Sequence, residues 1–593
     1  MERPDRTVSP TASRHESPAE YAAPEAPAGS EAPAGPDAPA ALGVVTVREA
    51  TFEVLRQHGM TTLFGNPGSS EVPFLTGFPA DFQYILGLHE GAVVGMAVGF
   101  AQARRGPVVV NLHTAAGLGN AMGALSTAWH NRAPLVLIVG QQARSHLALR
   151  PFLAGEHLDR MPEPYAKWSV TPARPQDVPG AVERAIAVAT TEPAGPAVVV
   201  VPMDDWDASL AALPVPHTVV QCAEPSDAAV EEIVRQIDAA DRPLFVAGAG
   251  IDRGGAWAGA VALAERLGAP VWQEPMGARF GFPQDHPLFA GMLGRSRSAV
   301  HDRLRGHDLV IVVGAPVFRY YMPDSAGPIV PAGCAVLQLT ADPDEAAGCP
   351  LGTSVVARLS SLLPRLARTV AARDRTVAAR DRTVAARDRT LPAAPAGSPN
   401  GRLTAAPDLP SGGPVTAEQL VAVLRAVVPP ETVVVEECPS VRPVLDADLP
   451  STVPSGWSSS GNGWLGYGLS GAIGLALGAP DRPVLAVVGD GSTLFGVQAL
   501  WTAARYRVPV VFCVLVNRAY GVLAELVHDY DAAAHIPGTD LTGIDIGGLA
   551  AALGVPATGV DSAAALAAAL RSALPPDGRI PRPTGPVLLE IRM

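Results

Sequence analysis

From Val44 onward the chain alternates short, unbroken apolar runs with amphipathic or small-residue stretches. Unbroken apolar runs separated by helical patterns read as strands of a parallel sheet, covered by helices on both faces. In a first block, 43–215, TVREATFEVLRQHG predicts a helix ended by Gly59, and TTLFGNPG a short strand and turn. FQYILGLHEGAVVGMAVGFAQARRG predicts a strand running into a helix; PVVVNLHTAAG, PLVLIVGQ and PAVVVVPMD predict further buried strands. A second block, 216–366, carries the strand patterns RPLFVAGAG, APVWQEP, DLVIVVGAP and AVLQLTAD. A third, 414–593, opens on the helix TAEQLVAVLRAVV and the strand TVVVEEC. It continues through the small-residue helix LSGAIGLALGAP to the strands RPVLAVVGDGS, VPVVFCVLVN and GPVLLEIRM. The predicted fold class is α/β, with three doubly wound parallel-sheet domains.

Two stretches break this rhythm. Residues 1–42 are Pro, Ala, Glu, Ser and Gly, too poor in apolar side chains to offset the entropy of ordering, and are expected to be a disordered tail. In 367–413, RTVAARD recurs three times from Arg368 to Asp388. Val370, Val377, Val384 and Leu391 fall seven apart, but the second apolar position of a coiled-coil heptad is always charged. The segment is expected to be a solvated helix or linker.

Composition narrows the class. Hydrophobic residues are 48% of the chain, enough for large cores. The net charge is −13 with no basic stripe, which argues against a nucleic-acid partner. Lys167 is the only lysine, and Ala-Lys-Trp offers no motif for Schiff-base chemistry. Five dispersed cysteines without a CxxC pair argue against a disulfide framework or structural zinc. There is neither a secretory h-region nor a long uninterrupted apolar run, so a cytoplasmic protein without a membrane span is expected.

Ligands of open parallel sheets bind beyond the carboxyl ends of the strands, so residues that follow apolar runs carry the interest. Gly489-Asp490-Gly491-Ser492 follows VLAVV, and Asn517 follows VVFCVLV, 27 residues after Asp490. That spacing suits one strand–helix–strand unit with both residues at neighbouring strand ends. A carboxylate and an amide oxygen there suit Mg²⁺ shared with a diphosphate, while Gly491 and Ser492 open a helix whose free N–H groups can hold a phosphate. Taken alone, GDG reads first as a tight turn with Asp490 as a helix cap; the spaced Asn517 turns the reading to the metal and diphosphate. Glu90 follows a strand and opens a helix of small and apolar residues; His113 ends a strand before a Gly-rich turn; Ser69 follows the turn in FGNPGSSE. Each of these three, alone, reads first as a capping or structural residue.

Together these segments resemble the thiamine diphosphate-dependent 2-oxo acid decarboxylases, most closely the benzoylformate decarboxylase group, over about 45–593. FGNPGSSEVPFL, HEGAVVG, NLHTAAGLGNAMGAL, VGQQAR, GAPVFRY and GDGS carry the likeness. The resemblance implies non-oxidative decarboxylation of a 2-oxo acid to an aldehyde and CO₂, with thiamine diphosphate and Mg²⁺ as cofactors. It implies that Asp490, Asn517 and the Ala519 carbonyl hold Mg²⁺, with Gly489, Gly491, Ser492 and Tyr520 around the diphosphate. Glu90 would hydrogen-bond the aminopyrimidine ring, Gly463 would receive its amino group, and Leu465 would wedge under the bent cofactor. Ser69 would hold the substrate carboxylate, and His113 would act as acid/base. The cofactor would lie between the first domain of one subunit and the third of another, implying a homo-oligomer, a dimer or tetramer.

Two departures stand out. Tyr321 follows GAPVFRY where the group has a second catalytic His, and a phenol with an ordinary pKa of ~10 cycles protons less readily near neutrality. Ser459 and Leu526 stand where the aromatic-substrate enzymes have aromatic residues, and Pro439 where they have a polar one, implying a differently shaped substrate wall. Three rival readings remain: a carboligase of the acetolactate-synthase type, a nicotinamide-dependent oxidoreductase suggested by GAGIDRGG with Glu274 beyond the next strand, and a non-catalytic relative.

Overall fold

The computed structural model describes residues 45–593 except 216, 218, 221–223, 323, 325–326, 374–411, 531–535 and 575–584. The expected tail, 1–42, and the RTVAARD repeats from Asp374 onward lie outside the described residues. The first repeat valine, Val370, is described: it follows the helix Leu359–Thr369 and is fully buried in the core of the middle domain.

Three six-stranded sheets, each wholly parallel, organise the chain. The first runs, edge to edge, Gln83–Leu86, Thr62–Asn66, Val108–Leu112, Leu135–Gln141, Ala197–Pro202, Trp168–Val170. The second runs Phe289–Met292, Val271–Gln273, Pro243–Ala247, Leu309–Val313, Ala335–Thr340, Thr353–Val356. The third runs Trp457–Ser459, Val433–Glu437, Val484–Gly489, Val510–Val516, Val587–Arg592, Ala557–Val560. The central strands are buried at every position, the condition that the unbroken apolar runs describe.

The opening helices start where local chemistry sets them. Thr46 caps Val47–Gln57 in a capping box with Glu49, and Thr416 caps Ala417–Val427 in another with Gln419. Two other helices are apolar or small on every side, Glu90–Arg104 and Tyr467–Gly478. A helix without a polar face must be buried all round. These two pack against each other, backbone to backbone: a Cβ on Gly474 would sit 1.9 Å from the Met96 carbonyl oxygen, and one on Gly99 2.1 Å from that of Gly471. Their crossing fuses the first and third domains into one core that contains Val93, Ala97, Ile473 and Leu475. The middle domain keeps cores of its own. No helix among the described residues is long and apolar enough to cross a membrane.

Candidate active site: two half-sites

The third sheet supplies one half. Strands Val484–Gly489 and Val510–Val516 are neighbours, with Gly489 in register with Leu515, so Asp490 and Asn517 emerge side by side. Asp490 is buried; its Oδ2 accepts the Arg518 N–H at 2.7 Å and its Oδ1 the Gly491 N–H at 2.8 Å. That second bond is local. It turns the Gly491 N–H, expected to face a phosphate, onto the side chain of Asp490. Arg518 takes a left-handed conformation, φ 59°, and Asn517 Oδ1 accepts the Ala519 N–H at 3.0 Å, so the 517–519 turn is sharply folded.

A cleft of about 140 Å³ opens at these strand ends. Leu465, Gly489, Asp490, Gly491, Ser492 and Asn517 line it, and Ala519, Tyr520 and Ser440 complete the far wall. Glycine is required at two points: a Cβ at 491 would lie 2.5 Å from Tyr520 Cε1, and one at 521 2.9 Å from Asn517 Nδ2. Gly463 is left-handed, φ 75°, in the turn before Leu465, although it does not line the cleft. Beneath this turn Glu437 accepts the backbone N–H groups of Gly466, at 2.6 Å, and of Gly468. Burial pushes the Glu437 carboxyl up to about 8, against the pull of those two N–H groups.

The first sheet supplies the other half. Glu90, 7% exposed, begins the helix Glu90–Arg104 and accepts from Asn66 Nδ2 at 3.1 Å and Asn120 Nδ2 at 3.0 Å. His113 leaves the strand Val108–Leu112 next to it: a Cβ on Gly117 would touch both Glu90 Cγ, at 3.5 Å, and His113 Cβ, at 3.6 Å. His113 Nδ1 lies 2.8 Å from Ser70 Oγ and 2.9 Å from Glu71 Oε2. Glu71, 1% exposed, also accepts from Ser70 Oγ at 2.7 Å and from the Gly68 N–H at 2.8 Å. A carboxylate only accepts, so it fixes the proton on Nδ1 and leaves Nε2 as the working nitrogen. Ser70, Glu71, Asn66 and Asn120 were missed by the sequence reading. FGNPGSSE spelled out the first three, but nothing in the spacing said that its acid would meet His113. Ser69, the residue singled out there, is exposed, and it is Ser70 that touches His113.

Tyr321 sits apart, in a loop of the middle domain, 46% exposed, where its Oη accepts from Arg295 Nη1 at 3.2 Å. The same loop is anchored to the third domain by Arg319, whose Nη1 donates to the Gly461 carbonyl at 3.1 Å. Ser459 does not face open space. It is buried, its Oγ donates to Glu436 Oε2 at 3.0 Å and accepts from Arg442 Nη1 at 3.3 Å, so the wall expected to be differently shaped there is an ionic network. The dinucleotide-like turn is likewise filled by the chain itself. A Cβ on Gly248 would lie 2.3 Å from the Gly314 carbonyl oxygen, one on Gly281 2.2 Å from that of Gly248, and Glu274 is buried against Arg319 at 3.3 Å. Its glycines serve close backbone packing, which leaves no cradle for a nicotinamide cofactor's phosphates.

Family models for the N-terminal, central and C-terminal domains of thiamine pyrophosphate enzymes match residues 45–162, 230–366 and 447–591. The chain belongs to the thiamine pyrophosphate enzyme family. It is 40% identical over 553 residues to the benzoylformate decarboxylase of Pseudomonas aeruginosa, a match covering 92% of this chain and 98% of that one. The crystal structure of benzoylformate decarboxylase from Polynucleobacter necessarius superposes with a TM-score of 0.83 at 37% identity, covering 92% of this chain and 98% of that one. The thiamine diphosphate-dependent 4-hydroxybenzoylformate decarboxylase of Rhodococcus jostii gives the same score and identity, covering 93% and 99%. The acetolactate synthase large subunit of Parasynechococcus marenigrum is more distant, 28% identical over 80% of this chain and 77% of its own.

The residues of this thiamine pyrophosphate enzyme fit its cofactor. A Cβ at 491 or 521 would press on Tyr520 or Asn517, which both line the cleft, and the cleft's donor set is hard oxygen. Among the described residues no three His, Cys, Asp or Glu side chains cluster as a metal cage. A cation here would therefore be shared between Asp490, Asn517, a backbone carbonyl and the ligand's own oxygens.

Proposed function

We propose that this chain catalyses the non-oxidative decarboxylation of an aryl 2-oxo acid to the aldehyde and CO₂, with thiamine diphosphate and Mg²⁺. The observation that carries the proposal is the pairing, in one family member, of a hard-oxygen cleft at Asp490 and Asn517 with a buried Glu90 beside an oriented His113. Thiamine diphosphate, when bound, supplies a cationic ring that accepts the electron pair released as CO₂ departs. The protein's part is orientation and proton handling. Asp490, Asn517 and the Ala519 carbonyl would hold Mg²⁺; Gly489, Gly491, Ser492 and Tyr520 would surround the diphosphate. Leu465 and Gly463 would shape the bend, and Glu90 would hold the ring nitrogen. His113 Nε2 would deliver or remove the proton at the reacting carbon's oxygen, with Glu71 and Ser70 fixing its tautomer. Ser69 would hold the substrate's carboxylate, and Tyr321 would take the place of the group's second catalytic His.

Glu90 and His113 line none of the cleft that Asp490 and Asn517 form. A homo-oligomer in which each copy completes the other's site is the arrangement we favour, in the cytoplasm, where dispersed free thiols are stable. A panel of aryl and aliphatic 2-oxo acids, assayed for CO₂ and aldehyde with both cofactors present, tests the activity. No aldehyde from any aryl member would refute it. Adding a second aldehyde tests the carboligase reading: accumulation of hydroxyketone at the expense of free aldehyde would favour it.

A further inference from the structure

A second cavity, of about 240 Å³, lies where the three domains meet and shares no lining residue with the cofactor cleft. Gln102 and Arg105 reach it from the end of the helix Glu90–Arg104, Arg279 from the middle domain, and Ser455, Trp457 and Arg482 from the third. Every charged group on its lining is a guanidinium. Two carboxylates stand behind them: the fully buried Asp252 takes Arg279 Nη1 at 2.8 Å and the Ser455 N–H at 2.8 Å, with Arg105 Nη2 at 3.9 Å, and Glu431 acts on Arg482. Three guanidiniums against two carboxylates leave the cavity with a net positive charge.

Arg482 spends its donors on carbonyls, through Nε and Nη2 to Glu431 O at 3.1 and 3.0 Å. Arg105 and Arg279 keep part of their forks free. Arg105 bonds through Nη2 alone, to Asp252 O and Ser455 Oγ, and Arg279 through Nη1 alone, to Asp252 and Ser455, so the rest of both forks has no acceptor among the described residues. Two buried donors on the same lining residues are also unpaired: Gln102 Nε2 and Trp457 Nε1, on residues 6% and 2% exposed. Gln102 Oε1 is committed to the Ser458 and Tyr467 hydroxyls at 2.8 and 3.0 Å. Buried donors without acceptors are rare in folded proteins and call for a partner. Surplus N–H groups and surplus positive charge together match a multivalent oxyanion.

We infer that this junction binds a small dianion of the phosphate class, free or as a phosphate ester, which ties the three domains together. The test uses holoenzyme saturated with thiamine diphosphate and Mg²⁺, so that the diphosphate cleft is filled. Sodium phosphate and AMP are titrated in separate arms, at ionic strength held constant with potassium chloride, by calorimetry and thermal melting. The expected result is a saturable heat and a rising Tm in at least one arm; the arm that responds identifies free phosphate or an ester. Loss of one charged donor should weaken that affinity about tenfold in Arg105→Gln, whose half-exposed site tolerates the change. Arg150→Gln, at an 84% exposed side chain elsewhere, should bind like wild type. No saturable heat in either arm at millimolar ligand, or equal affinity in wild type and Arg105→Gln, would overturn the inference.

Discussion

Replacing Glu71 by Gln isolates one thing, the negative charge beside His113. The carboxylate serves three donors: the Gly68 N–H, Ser70 Oγ and His113 Nδ1. An amide of the same shape, with its oxygen in the place of Oε2, still accepts from Gly68 and His113. Its nitrogen then replaces Oε1, and the Ser70 hydroxyl turns to accept from it. The geometry survives and the charge assistance does not. A hydrogen bond to a charged group contributes about 1.5–3 kcal/mol net, and a neutral one about 0.5–1.5. The difference, about 1–1.5 kcal/mol, corresponds to about a tenfold fall in kcat if the charge is used when His113 becomes protonated. Glu71→Ala leaves all three donors without their acceptor in a buried pocket, so it should lower Tm clearly and cut kcat by about 10²–10⁴. The assay is steady-state aldehyde release from benzoylformate at saturating cofactors, with a thermal melt of each variant. A Glu71→Gln enzyme with an unchanged melt and unchanged kcat would refute the orienting role. So would a rise in KM with kcat intact, because that pattern belongs to substrate binding.

Four further outcomes follow from the same geometry. Glu90→Gln keeps both bonds once one of the two Asn amides flips to present its oxygen to the new N–H, and should abolish turnover while leaving the melt nearly unchanged; full activity would remove Glu90 from the mechanism. Asp490→Ala should weaken cofactor affinity about a hundredfold or more in a Mg²⁺-dependent fluorescence titration, and chelation of wild type should reversibly abolish activity; indifference to both would exclude the metal. Gly474→Ala drives a methyl into the Met96 carbonyl and should cost about 3 kcal/mol or more in denaturant unfolding; a wild-type midpoint would contradict the helix crossing. Asp446 is pushed up to about 6 by burial, so folding is penalised as pH rises from its ordinary range near 3.8 through 6. Asp446→Asn should therefore gain in Tm relative to wild type between pH 4.5 and pH 8, and a constant difference across that window would contradict the shift.

The middle domain shows how far local patterns mislead. GAGIDRGG has the look of a nucleotide turn because glycine is demanded wherever a backbone comes close, whether to a phosphate or to another backbone. Here the neighbours are Gly314 and Gly281 of the same chain. Ser459 misleads in the same way, since its role depends on Arg442 and Glu436, which its own surroundings in the sequence do not announce.

Periodicity determined the fold class, because strands buried on both faces must be apolar at every position and helices between sheets must carry small residues. Spacing determined that Asp490 and Asn517 end adjacent strands, because one strand–helix–strand unit has a nearly fixed length. Tertiary structure alone decided that Glu71 and Ser70 grip His113, that the outer domains share a core through Gly474 and Gly99, and that three arginines from three domains converge. Those contacts join residues far apart along the chain, brought within a few ångströms by strand pairing inside the first domain for His113 and by the packing of whole domains for the others.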